Sequence, residues 1–146
     1  MGLDQTLQKN LNQTLTKAVI VAGIGCKRGA PAADIEAAIH AALERGGVSL
    51  NALAAVATIA MKQSEFGIAA AAKKLGVKFI VVPEANAQAA GGRTQTHSER
   101  VLELTGVPSV AEAAALAAAG PAARLLGPRL ALGAVTCALA TREAKP

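Results

Sequence analysis

Ala18-Val19-Ile20-Val21-Ala22-Gly23-Ile24-Gly25-Cys26-Lys27-Arg28-Gly29-Ala30-Pro31 passes from an unbroken apolar run into a glycine-rich cationic loop and then a proline. A short Val/Ile/Ala run that ends in glycine fits a strand covered on both faces. The expected strand is Lys17 to Ile24, with the loop at its carboxyl end. Behind the loop, Ile35, Ala38, Ile39, Ala42 and Leu43 recur at the spacing of one helical face. Pro31 suits the first turn, where a missing N–H costs nothing. Asp34 and Glu36 complement the positive end of that helix, and Gly46-Gly47 stops it. Strand, glycine loop and helix together open an α/β unit.

The same alternation continues outward. Ser49 caps a short turn or helix over Leu50 to Ala54, and Val56 to Met61 reads as a second strand. Ser64 opens a helix over Glu65 to Leu75, stopped by Gly76. Lys78 to Val82 is a third strand closed by Pro83, and Glu84 to Ala90 a short helix. Gly91 to Thr96 is a polar loop expected to be mobile. Ser98 starts a helix to Thr105. Ser109-Val110-Ala111-Glu112 has the spacing of a capping box, with Ser at the N-cap and Glu three residues on. Its helix ends at Gly120-Pro121. Arg124 to Leu126 and Ala134 to Ala140 are too close for a helical crossover, so they should pair as an antiparallel hairpin. The expected fold is a three-layer α/β/α domain on a mixed, mostly parallel sheet of about five strands. Residues 1–16 are polar and weakly periodic, and read as an extension. Residues 17–146 form the single domain.

Composition narrows the function. The chain has 146 residues, the size of one domain, and no Trp or Tyr. Its core must be aliphatic. Stacking platforms for single-stranded nucleic acid need aromatic residues, and no helix carries a basic stripe, so nucleic acid is not the expected partner. The net charge of +5 still favours an anionic one. Two cysteines make no disulfide framework, and two distant histidines make no metal site. No leader segment is visible, and Gly and Pro break the Ala/Leu-rich stretch before Ala140. The expected place is the cytoplasm, without a membrane span.

Three stretches could carry chemistry. The first is the loop itself. Ligands in open α/β sheets sit beyond the carboxyl ends of strands, and a helix N-terminus there favours an anion. Gly23, Gly25 and Gly29 would let a ligand approach the backbone. Lys27 and Arg28 add charge, and Cys26 beside them should have a lowered pKa. The spacing is neither a phosphate-binding Walker loop nor a dinucleotide fingerprint. A second stretch holds Thr58, Lys62, Ser64 and Glu65 on the same inferred sheet edge. A third holds His97 and Glu99, with Ser98 between them. Lys62, Glu65 and His97 are the candidates for acid–base chemistry.

The run Ala22 to Pro31 resembles the signature that opens the CobE family and the C-terminal domain of CbiG. Thr58 to Gly67, Gly106 to Leu116 and Val135 to Ala140 agree with it in order. The resemblance spans about Ala18 to Ala140. It departs at Arg129, where lysine is expected, and in the N-terminal extension. It implies a role in building the corrin ring of vitamin B12. The implied ligand is a polycarboxylate ring intermediate of the precorrin or cobalt-precorrin type, held as carrier or accessory factor, with another pathway enzyme as a possible partner. Gly23, Gly25, Cys26, Lys27, Arg28, Gly29, Thr58, Lys62, Glu65, Ser98 and Ser109 are the expected ligand-binding residues. Two alternatives stay open: a CbiG-like hydrolase that opens a lactone on such a ring, and a phosphate- or nucleotide-binding α/β module. No cofactor or metal is expected.

Overall fold

The computed structural model describes residues 18–62 and 65–143. The expected N-terminal extension and the cap at Ser64 lie outside these residues. Nine residues, Ala18–Cys26, form β1, and nine more, Val135–Glu143, form β6. The two pair antiparallel along their whole length, from Ala18 opposite Glu143 to Cys26 opposite Val135. On the other edge of β1 lies β2 (Leu53–Ile59), and beyond it β3 (Lys78–Val82), both parallel to it. The outer edge of β6 is met by two fragments, β4 (Arg124–Leu125) and β5 (Leu130–Leu132), both antiparallel to it.

The sheet is mixed, as expected. Five strands run one way and β6 alone runs against them. Because β6 sits inside the sheet, three of the five paired edges are nevertheless antiparallel. The last hairpin is formed by β5 and β6. The segment expected as its first arm, β4, pairs with the far end of β6, and Leu126 N–H extends that ladder to Leu139 O at 2.9 Å.

Alternation along β1 divides the core in two. Ile20, Ala22 and Ile24 face α1 (Ala32–Gly46) and α2 (Phe66–Leu75), and Ile35, Ala38, Ile39, Ala42 and Leu43 form the buried stripe of α1. On the other face Val21 meets α3 (Glu84–Ala90) and α5 (Val110–Ala119). The short α4 (Glu99–Thr105) stands at the sheet's carboxyl edge, its Val101 against this second core. Five of the eight buried residues of α5 are alanine, which lets its backbone lie close to the strands. Gly23 completes that approach. A Cβ there would run into the Ala111 carbonyl oxygen and lie 2.6 Å from the Ala115 nitrogen.

β1 runs past the expected Ile24 and takes Gly25 and Cys26 from the loop. Gly23 packs against α5. Glycine inside a strand often marks such a close backbone approach. β2 begins three residues before the expected Val56, because Leu53 to Ala55 pair with β1 despite their weak strand propensity. Among the described residues, no single helix is long and apolar enough to cross a membrane.

Candidate functional site

β1 ends at Cys26 and β6 begins beside it, so the loops of both meet at one edge of the sheet. The end of β1, the Ala60–Lys62 turn, α4, the start of α5 and the segment around residues 129–136 enclose a cleft of about 540 Å³. Lys27, Lys62, Arg100 and Arg129 line it, together with aliphatic surface from Val101, Leu104 and Val110. Lys62 and Arg129 are half-buried, whereas Lys27 and Arg100 are exposed. No carboxylate or histidine is among the lining residues. Among the described residues none of the four cations is in an ion pair. Like charges gathered without counter-charge repel one another, and an anion relieves that repulsion. The volume lies within the ~300–1,000 Å³ of small-molecule sites.

Of the residues singled out in the sequence, Gly25, Cys26, Lys27 and Lys62 meet in this cleft. Arg28 does not. It lines a separate, wider and more open hollow of about 700 Å³ with Gly29, Glu65 and the exposed Phe66. Glu65 is already engaged, because its carboxylate accepts the Gly29 N–H at 2.8 Å. Gly29 has φ of 79°, so the turn that offers this N–H needs glycine. Thr58 is buried and donates its hydroxyl to Ile24 O at 2.9 Å, tying β2 to β1. Ser98 caps α4 and Ser109 caps α5, through Val101 N–H and Glu112 N–H. His97 and Glu99 contact each other at 2.9 Å, 59% and 78% exposed, outside the cleft. The three acid–base candidates therefore do not converge: Lys62 is in one cleft, Glu65 in another, His97 on the surface.

Arg100 and Arg129 line the cleft without being among the expected binding residues, Arg129 standing out in the sequence only as a departure from the family pattern. Glu112 is a third residue absent from that expectation. Its side chain is fully buried. It does not fold back to Ser109 as a capping box would require. Oε1 accepts the N–H groups of Gln95 and Thr96 at 2.7 and 2.8 Å, and Oε2 accepts the Thr96 hydroxyl at 2.6 Å and the Arg129 N–H at 2.8 Å. The loop expected to be mobile is thus fastened to α5. Burial disfavours the charged carboxylate, but the Thr96 hydroxyl and the Thr96, Arg129 and Gln95 amides outweigh it and hold its pKa below the ordinary value. A folded pKa below the unfolded one means that the unfolded chain binds more protons. The carboxylate's share of stability is present above the usual carboxyl range and is lost as pH falls through it.

The comparisons with known proteins settle the family. The family model for the C-terminus of cobalamin synthesis protein G matches residues 20–140. The chain belongs to the CbiG C-terminal family. Protein CobE of Sinorhizobium sp is 35% identical over 133 residues, covering 91% of this chain and 86% of that protein. A crystal structure of CobE, described as a protein of the cobalamin (vitamin B12) biosynthetic pathway, superimposes with a TM-score of 0.81 at 35% identity. That match covers 86% of this chain and 94% of the other. Cobalt-precorrin-5A hydrolase of Priestia megaterium is 32% identical over 102 residues, which is 70% of this chain but only 27% of the hydrolase. This chain is a cobalamin biosynthesis protein of the CobE/CbiG C-terminal type.

Within this CbiG C-terminal domain the cysteine of the loop invites a nucleophilic role. The surroundings of Cys26 oppose it. Burial raises the thiol pKa, Lys62 pulls it down only in part, and Glu65 adds to the rise. The sequence-based expectation of a lowered pKa fails because the thiol is half-covered at the strand end. Cys26 should therefore alkylate more slowly than free cysteine at the same pH. Cys26→Ser should bind ligand within about tenfold of wild type. Faster alkylation than free cysteine, measured by intact mass, would show an activated thiolate.

Proposed function

We propose that the protein binds a polycarboxylate corrin-ring intermediate in the cationic cleft, as carrier or accessory factor of the cobalamin pathway. The observation that carries this reading is the convergence of Lys27, Lys62, Arg100 and Arg129 on one cavity lined by no carboxylate. Corrin intermediates are flat rings edged with acetate and propionate groups. Cations on the cleft wall suit the edge, and Leu104, Val101 and Val110 offer aliphatic surface to the ring. The absence of an acid–base pair in the lining favours binding over turnover. Cys26 and Cys137 are free thiols, which suits a reducing compartment such as the cytoplasm.

The test uses cobyrinic acid, a corrin with free peripheral carboxylates, and cobinamide, whose peripheral groups are mostly amidated. Cobyrinic acid should bind with a visible spectral shift and an unchanged mass. Cobinamide should bind at least about tenfold more weakly, because the charge complementarity is lost. Higher salt should weaken the acid's binding. Equal affinity for the two corrins would remove the electrostatic basis of the reading. A change in corrin mass would replace it with the hydrolase reading, which rests on the name of a relative mostly outside this chain's span.

Arg28 separates the cleft from the loop motif. Arg28→Ala should leave cobyrinic acid affinity within about threefold, whereas Lys62→Ala should weaken it by about tenfold or more. Titrations of both variants decide the point. The reverse order would move the site to the hollow beside Phe66.

A further inference from the structure

We propose that Glu112 is the positioning residue of the cleft, holding the segments that carry Arg100 and Arg129 by their backbones so that both guanidiniums stay available to an anion. This rests on the cleft as the binding site. A buried carboxylate is costly unless its charge is answered by cations or by hydrogen bonds. Two arginines belong to the segments that Glu112 grips, yet among the described residues it pairs with neither guanidinium. It takes the Arg129 backbone N–H and leaves that side chain among the cleft-lining residues. It takes the amides of Gln95 and Thr96, just ahead of the Ser98 cap that starts α4 and sets Arg100.

The clamp has a second jaw. The Arg45 guanidinium, from α1 on the opposite face of the sheet, donates to the Pro128 carbonyl. The Gly127–Arg129 link between β4 and β5 is thus gripped from both layers. Glu112 is itself fixed, since Ser109 caps its N–H and α5 is wedged against Gly23. A carboxylate that joined the guanidiniums directly would have neutralised the charge that makes the cleft attractive to anions. Amide donors meet the demand of the buried carboxylate without that loss.

Three variants and two probes test the proposal, with folding checked by circular dichroism. Thr96→Val removes one donor, Thr96→Ser keeps it, and Glu112→Gln replaces an acceptor oxygen with a donor. Cobyrinic acid affinity should fall about tenfold in Glu112→Gln and about threefold in Thr96→Val, and stay near wild type in Thr96→Ser. The salt dependence should also flatten in the first two, because fewer cations reach the ligand. A merely structural role would lower the melting temperature but leave affinity and salt dependence of the folded protein unchanged, and that result overturns the proposal. If Glu112→Gln does not fold, the two Thr96 variants decide. If wild type ignores cobyrinic acid, the corrin reading falls, and tripolyphosphate replaces it as probe. Arg100 and Arg129 side-chain resonances that move with tripolyphosphate in wild type and titrate about threefold more weakly in Thr96→Val, but not in Thr96→Ser, would still support the positioning role. Equal affinity in wild type and Thr96→Val, or no movement in either, would overturn it.

Discussion

Gly23→Ala, a single added methyl group, is expected to leave little folded protein. The new Cβ would meet the Ala111 carbonyl oxygen and approach the Ala115 nitrogen and Cβ at 2.6 and 2.9 Å. These are mostly backbone atoms of α5, which cannot swing aside as a side chain can. α5 packs on the centre of the sheet, so moving it opens the second core. Overpacking that side chains can absorb costs about 1–3 kcal/mol. Here the helix itself must move, and a loss of about 4 kcal/mol or more is expected. That is a large part of the ~5–15 kcal/mol that holds a domain together. Gly25→Ala is the control. Its Cβ would lie 2.7 Å from the Thr136 hydroxyl and 3.3 Å from Val110 Cβ, both on side chains. Denaturant melts of the two variants should separate them clearly. A Gly23→Ala protein as stable as the Gly25→Ala protein would mean that α5 does not pack closely on Gly23.

The same glycine shows what the sequence allowed and what it hid. The apolar run from Ala18 and the spacing of Ile35 to Leu43 are local patterns, so the first strand, the first helix and the α/β class were legible. The Ser98 and Ser109 caps were legible because capping is decided within three residues. Gly25 and Cys26 fall beyond the expected strand because glycine disfavours strands. The nine-residue ladder to β6, more than a hundred positions away, and the pairing of Gly23 with Ala57 of β2 keep this stretch extended. β5 is three residues, half or fully exposed, between Gly127-Pro128 and Gly133, and carries no periodicity to detect. The cleft had a similar history. Lys27 and Lys62 stood out because they flank strands. Arg100 carries no local signal, since its partners in the cleft come from other elements. Glu112 was read as half of a capping box. The spacing correctly gave the Ser109 cap, but the carboxylate's partners come from two distant loops.

Reversing charge at the two half-buried cations, with Lys62→Glu and Arg129→Glu together, is expected to weaken cobyrinic acid binding by about a hundredfold or more, some 2.7 kcal/mol. Each charge-assisted contact contributes about 1.5–3 kcal/mol when its partner is ionised, and here each is replaced by repulsion. Lys62 and Arg129 are chosen over Lys27 and Arg100 because partial burial screens them less. The fold should tolerate the change, since among the described residues neither side chain is ion-paired, and the Arg129 N–H that holds Glu112 belongs to the backbone. The decisive control alters net charge equally, away from the cleft. Lys73→Glu with Lys78→Glu removes the same two cations' worth of charge from exposed positions on α2 and β3. If binding depends only on a net charge of +5, both double variants lose affinity alike. If it depends on cations converging on one cavity, the control should stay within about threefold of wild type at physiological salt, where exposed charges beyond a Debye length of ~8 Å are largely screened. Isothermal titration of the two double variants separates these cases, and equal losses would mean that the cleft is not the site.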